Sequence, residues 1–316
     1  MGVTERQRRL LALCAIRVDG VGVDWSLIAR EARFSGGLDA LWAGQVAEKS
    51  AAARRALPVL RRGIREADAL AGRVTAEIAA AGRVGAELVT VLDDGYPANL
   101  RLIGNRPPFL FYRGTLAEAD ARSVAVVGTR SPSADGLARA MEMSAQLAGH
   151  RVTVVSGLAR GIDTAAHRAA LGRGGRTIAV LGTGITGCYP PENRELAEEI
   201  TRAGALVSQF WPTQKPHRDS FPRRNVVTSG LSQGTVVIEA GHTSGAKMQA
   251  RLALEHGKQV FLPGELVTGQ DWARGYATRP GAIIVGGADE VLPHLASPER
   301  IRRQAIQNQQ LPLTLL

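Results

Sequence analysis

The sequence is poor in cysteine and aromatic residues and contains no long apolar run. Its two cysteines, Cys14 and Cys188, have no Cys-x-x-Cys partner, which excludes a disulfide framework and a zinc knuckle. Aromatic residues make up 4% of the chain, which argues against a nucleic-acid platform of several stacked rings. No stretch approaches the roughly 18 apolar residues of a membrane span, and the N-terminus lacks a signal-type cleavage site. We therefore expect a cytoplasmic protein that does not enter a membrane.

The composition is that of a globular, basic protein. The chain has 316 residues, of which 45% are hydrophobic, and carries a formal net charge of +10 with a pI near 10.5. A surplus of arginine favours a polyanionic partner, because cationic side chains release counterions from phosphate backbones. An arginine bias also arises from genomic base composition, so charge alone gives weak support for a nucleic-acid partner.

Residues 151–184 have the pattern of a strand, a glycine turn, a helix and a second strand. Residues 152–155 form a β-branched run too short for a helix, Ser156 and Gly157 interrupt it, and residues 162–171 have helical spacing. This order predicts a βαβ crossover and therefore a parallel sheet.

The turn of this unit, which contains Ser156, Gly157, Arg160 and Gly161, is suited to an anion. Ligands of parallel sheets lie at the carboxyl ends of strands, where backbone N–H groups at helix starts are unpaired. The glycines permit close approach, the serine hydroxyl can donate, and the arginine presents a planar fork that matches phosphate. The alternative is an ordinary βα turn with one solvated arginine.

Residues 156–171 read Ser-Gly-Leu-Ala-x-Gly-Ile-Asp-x-x-Ala-His-x-x-Ala-Leu, which resembles the signature of the DprA/Smf family. Further similarity lies in a Gly-x-Gly-x-x-x-x-Tyr-Pro-x-x-Asn motif at residues 182–193 and covers roughly residues 88–292. The resemblance implies a Rossmann-like core that binds single-stranded DNA without catalysis, forms a homodimer and hands the strand to the RecA recombinase during natural transformation. The chain departs from the family pattern at Val226, at residues 247–250 and at residues 271–278.

Three further segments supply candidate binding residues. A strand at residues 124–127 precedes Gly-Thr-Arg and a helix near Ala134, and the resemblance implies that this arginine contacts a DNA phosphate; the alternative is a salt-bridged surface arginine. Residues 221–225 place two arginines near a helix start, and residues 244–247 form a nest with a lysine in reach. The predicted DNA-binding residues are Gly128, Thr129, Arg130, Ser156, Gly157, Arg160, Gly161, Arg223, Arg224, Asn225, Ser244, Gly245 and Lys247.

An enzymatic role on a related fold is the second hypothesis. Residues 182–187 formally read Gly-x-Gly-x-x-Gly, but prolines interrupt the helix that should follow and no acid ends the next strand, so an NAD enzyme is not expected. Residues 234–239 faintly resemble the loop of LOG-type nucleotide phosphoribohydrolases, with Glu239 as base; nucleotide sensing is a related option. The sequence shows no catalytic triad, paired catalytic carboxylates or metal cluster, so no cofactor is expected.

The fold class expected is α/β, a Rossmann-like doubly wound, mostly parallel sheet with a small N-terminal all-helical domain. Residues 1–85 form the helical domain, which is SAM-like or helix-hairpin-helix-like. Within it, the glycines of residues 18–23 make an interhelical turn or a phosphate cup, and residues 51–83 form one long basic helix. Residues 86–296 are the core, and residues 297–316 form a basic, Gln-rich tail too short for a winged-helix domain.

Overall fold

The computed structural model describes residues 2–310, apart from the side chains of residues 67, 68 and 310. The N-terminal region begins with a helix whose first turn is held by a capping box, in which Thr4 and Gln7 satisfy each other's backbone N–H groups. Its elements are α1 (Glu5–Ala15), β1 (Arg17–Val18), β2 (Val21–Gly22), α2 (Trp25–Ala32), α3 (Gly37–Trp42), α4 (Ala51–Ile64) and α5 (Ala67–Arg83).

Two features of this region differ from the sequence prediction. The region is not all-helical: the predicted interhelical turn is a β-hairpin at residues 17–22, in which Asp19 and Gly20 have positive φ angles, 51° and 80°, that suit a tight hairpin turn. The single long helix expected over residues 51–83 is two helices, α4 and α5. The break allows α5 to pack on α1 while α4 packs on the hairpin.

The core begins with the strands of one nine-stranded sheet. They are β3 (Glu87–Thr90), β4 (Phe109–Gly114), β5 (Ser123–Val127), β6 (Thr153–Ser156), β7 (Thr177–Val180), β8 (Ala205–Ser208), β9 (Gly234–Val237), β10 (Gln259–Pro263) and β11 (Ala282–Val285). Their order across the sheet is β11-β10-β9-β5-β6-β7-β8-β4-β3. All neighbours from β11 to β8 are parallel, whereas β4 runs antiparallel to both β8 and β3. This confirms the predicted mostly parallel sheet.

Helices cover both faces of the sheet, which explains why β5 to β9 are buried along their whole length. They are α6 (Ala98–Arg101), α7 (Ala134–Gly149), α8 (Ile162–Gly172), α9 (Arg194–Ala203), α10 (Ser220–Leu231), α11 (Gly245–Glu255), α12 (Gly264–Gly269), α13 (Asp271–Ala277), α14 (Ala288–Val291) and α15 (Pro298–Gln310). Single 3₁₀ turns lie at Glu118–Ala121, Pro191–Asn193 and Leu292–His294.

The order of the strands creates a topological switch point. The chain passes from β5 through β6 and β7 to β8 in one direction, and then returns to place β9 on the other side of β5. The loops that follow β5 and β9 therefore diverge and leave a crevice at the carboxyl edge of the sheet. This is the place where open α/β sheets bind ligands.

The N-terminal region is packed firmly against the core. The Trp25 ring lies 5.0 Å from that of Phe109, which lies 5.3 Å from that of Trp211. Polar contacts cross the same junction: Gln7 Nε2 donates to an Asp93 carboxylate oxygen at 2.8 Å, and Glu77 accepts from the Thr213 backbone N–H and hydroxyl. One apolar core runs continuously through both regions.

The C-terminal segment is more ordered than the predicted tail. Residues 298–310 form α15, which packs against α6 because Ile301 and Ala305, one helical turn apart, are buried. Residues 311–316 of the predicted tail lie outside the described residues. No helix in the described part of the chain has both the length and the apolar character that crossing a bilayer requires.

Candidate nucleic-acid interface

A cavity of about 520 Å³ occupies the switch point, and we call it the switch-point cavity. The loops after β5, β6 and β9 and the first half of α10 form its walls. It brings together eight of the predicted binding residues: Gly128, Thr129, Arg130, Gly157, Arg224, Asn225, Ser244 and Gly245.

The loop after β5 presents an exposed arginine on a fixed backbone. Thr129 N donates to Glu239 O at 2.7 Å, and Thr129 O accepts from Ile162 N at 3.2 Å, so both neighbouring strand-end loops hold it. The guanidinium of Arg130 lies 5.5 Å from the centre of the Phe221 ring and forms no ion pair with any carboxylate that the structure describes. Its charge is therefore available to an anion.

A buried arginine forms the floor of the cavity. Arg224 Nη1 donates to Val180 O at 2.8 Å, and its guanidinium lies so close to Gly157 that a Cβ there would be 1.7 Å from Nη1. Burial lowers the pKa of Arg224, whereas the nearby Asp163 charge raises it. Burial raises the pKa of Asp163, opposed by Arg224 and by two backbone N–H donors. Asp163 and Arg224 thus hold the loop after β6 in place.

Ser156, predicted to donate to a ligand, is fully buried, and its hydroxyl donates to Val126 O at 2.7 Å. The hydroxyl proton is used within the sheet, so the side chain is not presented to the cavity. Gly161 has a φ of +74°, and an added Cβ would lie 2.5 Å from Thr129 O, so it serves the loop's backbone path. Arg160 forms an exposed ion pair with Glu192 and lines a small neighbouring pocket with Tyr189.

The remaining predicted residues are divided among different surfaces. Ser244 caps α11 by accepting from Ala246 N at 3.1 Å, and it lies at the cavity wall with Gly245. Lys247 does not line the cavity. Arg223 is on the other side of α10, where its guanidinium lies 5.3 Å from the Trp25 ring centre. Adjacent arginines on a helix point about 100° apart, so only Arg224 of the pair reaches the switch-point cavity.

Sequence reasoning missed two aromatic residues at the rim. The rings of Tyr189 and Phe221 lie 5.6 Å apart, and Tyr189 is 40% exposed. The low aromatic content argued against a platform of several rings, yet two of the few aromatic residues meet here. The signal lay in the motifs themselves, since each ring directly precedes a proline in a predicted site segment.

Glu239, the candidate base of the enzymatic hypothesis, has a structural partner. Its carboxylate accepts from the Ser133 backbone N–H at 3.2 Å and from the Ser133 hydroxyl at 2.6 Å, at the start of α7. Ser133 itself caps this helix by accepting from Gly136 N. Among the described residues, no three His, Cys, Asp or Glu side chains are grouped so as to hold a metal ion.

Comparison with known sequences relates most of the chain to one family. The model for DNA recombination-mediator protein A matches residues 87–296. The chain is 40% identical over 204 residues to DNA processing protein DprA of Streptococcus pneumoniae, covering 64% of this chain and 72% of that protein. It is 37% identical over 210 residues to Protein Smf of Escherichia coli, covering 66% of this chain and 56% of that protein.

Solved structures of DprA proteins are also similar to this chain. The X-ray structure of DprA from S. pneumoniae superposes with a TM-score of 0.74 at 28% identity, covering 94% of this chain and 99% of that one. A structure of DNA processing protein A from Helicobacter pylori, described for its single-stranded DNA binding mode, gives a TM-score of 0.59. It covers 66% of this chain and 94% of that one at 23% identity, and so shows a shared fold.

Proposed function

Because the chain belongs to the DNA recombination-mediator protein A family, DprA/Smf, we propose that it binds single-stranded DNA along the switch-point cavity. The observation that carries the proposal is Arg130. Its exposed guanidinium, which has no ion-pair partner among the described side chains, lies over Phe221 at the rim of a crevice lined by glycine-rich loops.

The switch-point cavity can hold a phosphate, and the two rings at its rim can hold a base. Arg130 contributes a full positive charge, and the Gly128–Thr129 and Ser244–Gly245 segments offer close backbone approach. Tyr189 and Phe221 present ring faces on which a base can stack, a contact worth about 1–3 kcal/mol that tolerates any base. A duplex hides its base faces, so this combination favours single strands.

We propose a binding rather than a catalytic role. The carboxylate of Glu239 accepts from the Ser133 N–H and hydroxyl, and Glu239 does not line the switch-point cavity, which argues against its use as a catalytic base there. The family membership further supports a cytoplasmic protein that protects incoming single strands, acts as a homodimer and passes the strand to a RecA-type recombinase. These partners are part of the proposal.

Fluorescence anisotropy of a labelled oligo-dT, measured across a salt series with duplex as competitor, tests the proposal. We expect salt-steep binding to the single strand. Arg130→Gln should weaken it about tenfold and reduce the salt slope by about 1, as expected for one lost phosphate contact. Arg55→Gln is the matched control. Arg55 is exposed on α4, and its substitution removes the same charge.

Absence of single-strand binding at moderate salt would overturn the proposal and direct the work to hydrolysis of nucleoside monophosphates. Equal weakening by Arg130→Gln and Arg55→Gln would show that net charge, rather than the switch-point cavity, attracts the strand.

A further inference from the structure

A second cavity, of about 300 Å³, lies on the other face of α10, between the N-terminal region and the core. We call it the junction cavity. Arg223 and Val226 of α10 line it, whereas Arg224 and Asn225 line the switch-point cavity. Its other walls come from residues distant in the sequence, including Arg17 of β1, Trp25 of α2 and Arg106 before β4.

The junction cavity gathers more positive than negative charge. Arg17, Arg106 and Arg223 line it, and none forms an ion pair with a carboxylate that the structure describes. Asp24 is an acid in its wall, and Asp24 Oδ1 accepts from the Ser26 backbone N–H at 2.8 Å. Asp219 is the acid whose charge acts on Arg223.

Two of these arginines also repel each other. Burial lowers the pKa of Arg223, and the charge of Arg17 lowers it further. Burial likewise lowers the pKa of Arg17, followed by the effect of Arg73. Burial lowers the pKa of Arg106 to about 10, and the arginines that lower it further lie outside the cavity. An anion bound between Arg17 and Arg223 would offset their repulsion, so a ligand there would stabilise the folded protein.

The arginines are held in place by the surrounding structure. Arg17 Nη1 donates to Ile16 O at 2.7 Å, and Gly22 across the hairpin leaves room for the Arg17 guanidinium, because a Cβ there would lie 2.5 Å from Nη1. Arg106, 4% exposed, donates from Nη1 to Arg101 O and Ile103 O. Pre-positioned donors lose little entropy when a ligand arrives.

An unpaired donor lines the same cavity. Gln209 is 7% exposed, and its Nε2 has no acceptor among the described residues. A buried amide nitrogen without an acceptor costs about 1–3 kcal/mol, and the acceptor that it lacks is what an anion's oxygens provide. The cavity therefore combines unneutralised guanidinium groups with an orphan N–H donor.

We propose that the junction cavity is a second phosphate-binding site, and that in a DNA complex it takes a phosphate of the strand held at the switch-point cavity. The first part rests on the charges and the orphan donor alone. The second part rests on the proposed function. Only α10, about 10 Å across with its side chains, separates the two cavities. Two guanidinium groups match the oxygens of a phosphate better than the pair of oxygens of a carboxylate.

Trp25 provides a direct readout, because its ring lies in the wall of the cavity beneath Arg223. The intrinsic fluorescence and the melting temperature are followed during titration with inorganic phosphate or dTMP, against potassium chloride at equal ionic strength. The proteins are the wild type, Arg17→Gln/Arg223→Gln, Arg130→Gln and the matched control Arg55→Gln/Arg65→Gln. Both control arginines are exposed, Arg55 on α4 and Arg65 directly after it. Trp25→Phe identifies the source of the signal.

We expect phosphate to shift the Trp25 signal and raise the melting temperature in the wild type, the control and Arg130→Gln, but not in Arg17→Gln/Arg223→Gln. No phosphate-specific response in the wild type, or an equal response in Arg17→Gln/Arg223→Gln, would overturn the site. A response to phosphate that disappears in Arg130→Gln would assign the signal to the switch-point cavity and overturn it as well.

Oligo-dT of increasing length, from about 4 to about 16 nucleotides, separates a strand phosphate from a free one. If the strand reaches the junction cavity, Arg17→Gln/Arg223→Gln loses about tenfold in affinity for long oligonucleotides and about 1 in salt slope, because one phosphate contact is lost, while short ones bind as to the wild type. A phosphate response with no length-dependent loss would restrict the site to free phosphate or nucleotide. Failure of the proposed function itself would show instead as absence of binding at every length.

Discussion

The two sides of α10 carry positive charge in different ways. The switch-point cavity is built from backbone: strand ends, glycines and helix starts that follow from the parallel sheet, with Arg130 and Arg224 added to them. The junction cavity is built from side chains that the chain contributes far apart, Arg17, Arg106 and Arg223. A rule of sheet topology therefore locates the switch-point cavity, whereas the junction cavity forms only when the N-terminal region and the core have packed.

Acid should affect the switch-point side most. His167 of α8 is fully buried, and burial, with a further effect of Arg224, lowers its pKa to about 3. Its contribution to stability is complete above pH 6.5, the pKa in the unfolded chain, and is lost as pH falls toward 3, because only the unfolded chain takes up the proton. We expect a loss on the order of 4 kcal/mol from this residue over that range.

The free energy of unfolding in urea, measured against pH for the wild type and His167→Asn, checks this. The Thr177 hydroxyl donates to Val154 O, so His167 Nδ1 donates to Thr177, a bond that the Asn amide can replace. The variant should lose less stability in acid, although His256, whose pKa burial lowers to about 4, still contributes. Identical pH profiles would contradict the assignment.

Gly157→Ala should separate the two sides of α10. A Cβ at this position would lie 1.7 Å from Arg224 Nη1, so the guanidinium must leave its place and its bond to Val180 O. Since Arg223 lies on the other face, its cavity is not disturbed. We expect single-strand affinity to fall about tenfold or more, measured by anisotropy, with the Trp25 response to phosphate retained.

Gly241→Ala is the control, because Gly241 lines the same cavity and a Cβ there meets nothing within 4 Å. Equal binding by both alanine variants would show that the position of Arg224 is unimportant for the strand.

Glu192→Gln should have the smallest effect. Glu192 pairs with Arg160 at the surface beside the switch-point cavity, and removing the acid leaves that guanidinium able to take a phosphate. Because exposed pairs are weak and screened by salt, we expect affinity to rise by no more than about threefold and the gain to vanish at high salt.

Anisotropy measurements with Glu195→Gln correct for the change in net charge, because Glu195 is an exposed acid at the start of α9, directly after the 3₁₀ turn that contains Glu192. Weaker binding by Glu192→Gln than by this control would mean that the ion pair positions Arg160 for the strand.

Much of the fold follows from local sequence rules. The β-branched runs of β5 and β6 and the glycines that end them predicted both strands, and the helix near Ala134 was predicted as well. Arg130 was singled out at a strand end by the family resemblance, and the structure places it in the wall of the switch-point cavity. The break between α4 and α5 was missed, since an alanine- and arginine-rich stretch favours helix throughout.

The orientation of side chains was harder to predict. Ser156 ends β6, and whether its hydroxyl faces the sheet or the loop depends on where the strand stops. Arg223 and Arg224 look equivalent in the sequence, and the packing of α10 decides which cavity each serves. The meeting of Trp25 with Phe109 and Trp211 joins positions separated by most of the chain, and no local pattern encodes it.

The C-terminal end of α10 is fixed from outside the helix. Lys258, buried before β10, donates from Nζ to the carbonyl oxygens of Ser229, Gly230 and Ser232. Arg223 and Arg224 are neighbours on this anchored helix, so the covalent chain fixes the spacing of their backbones. One rigid helix therefore supplies an arginine to each cationic surface, and Arg17 completes the second surface only when the N-terminal region packs on the core.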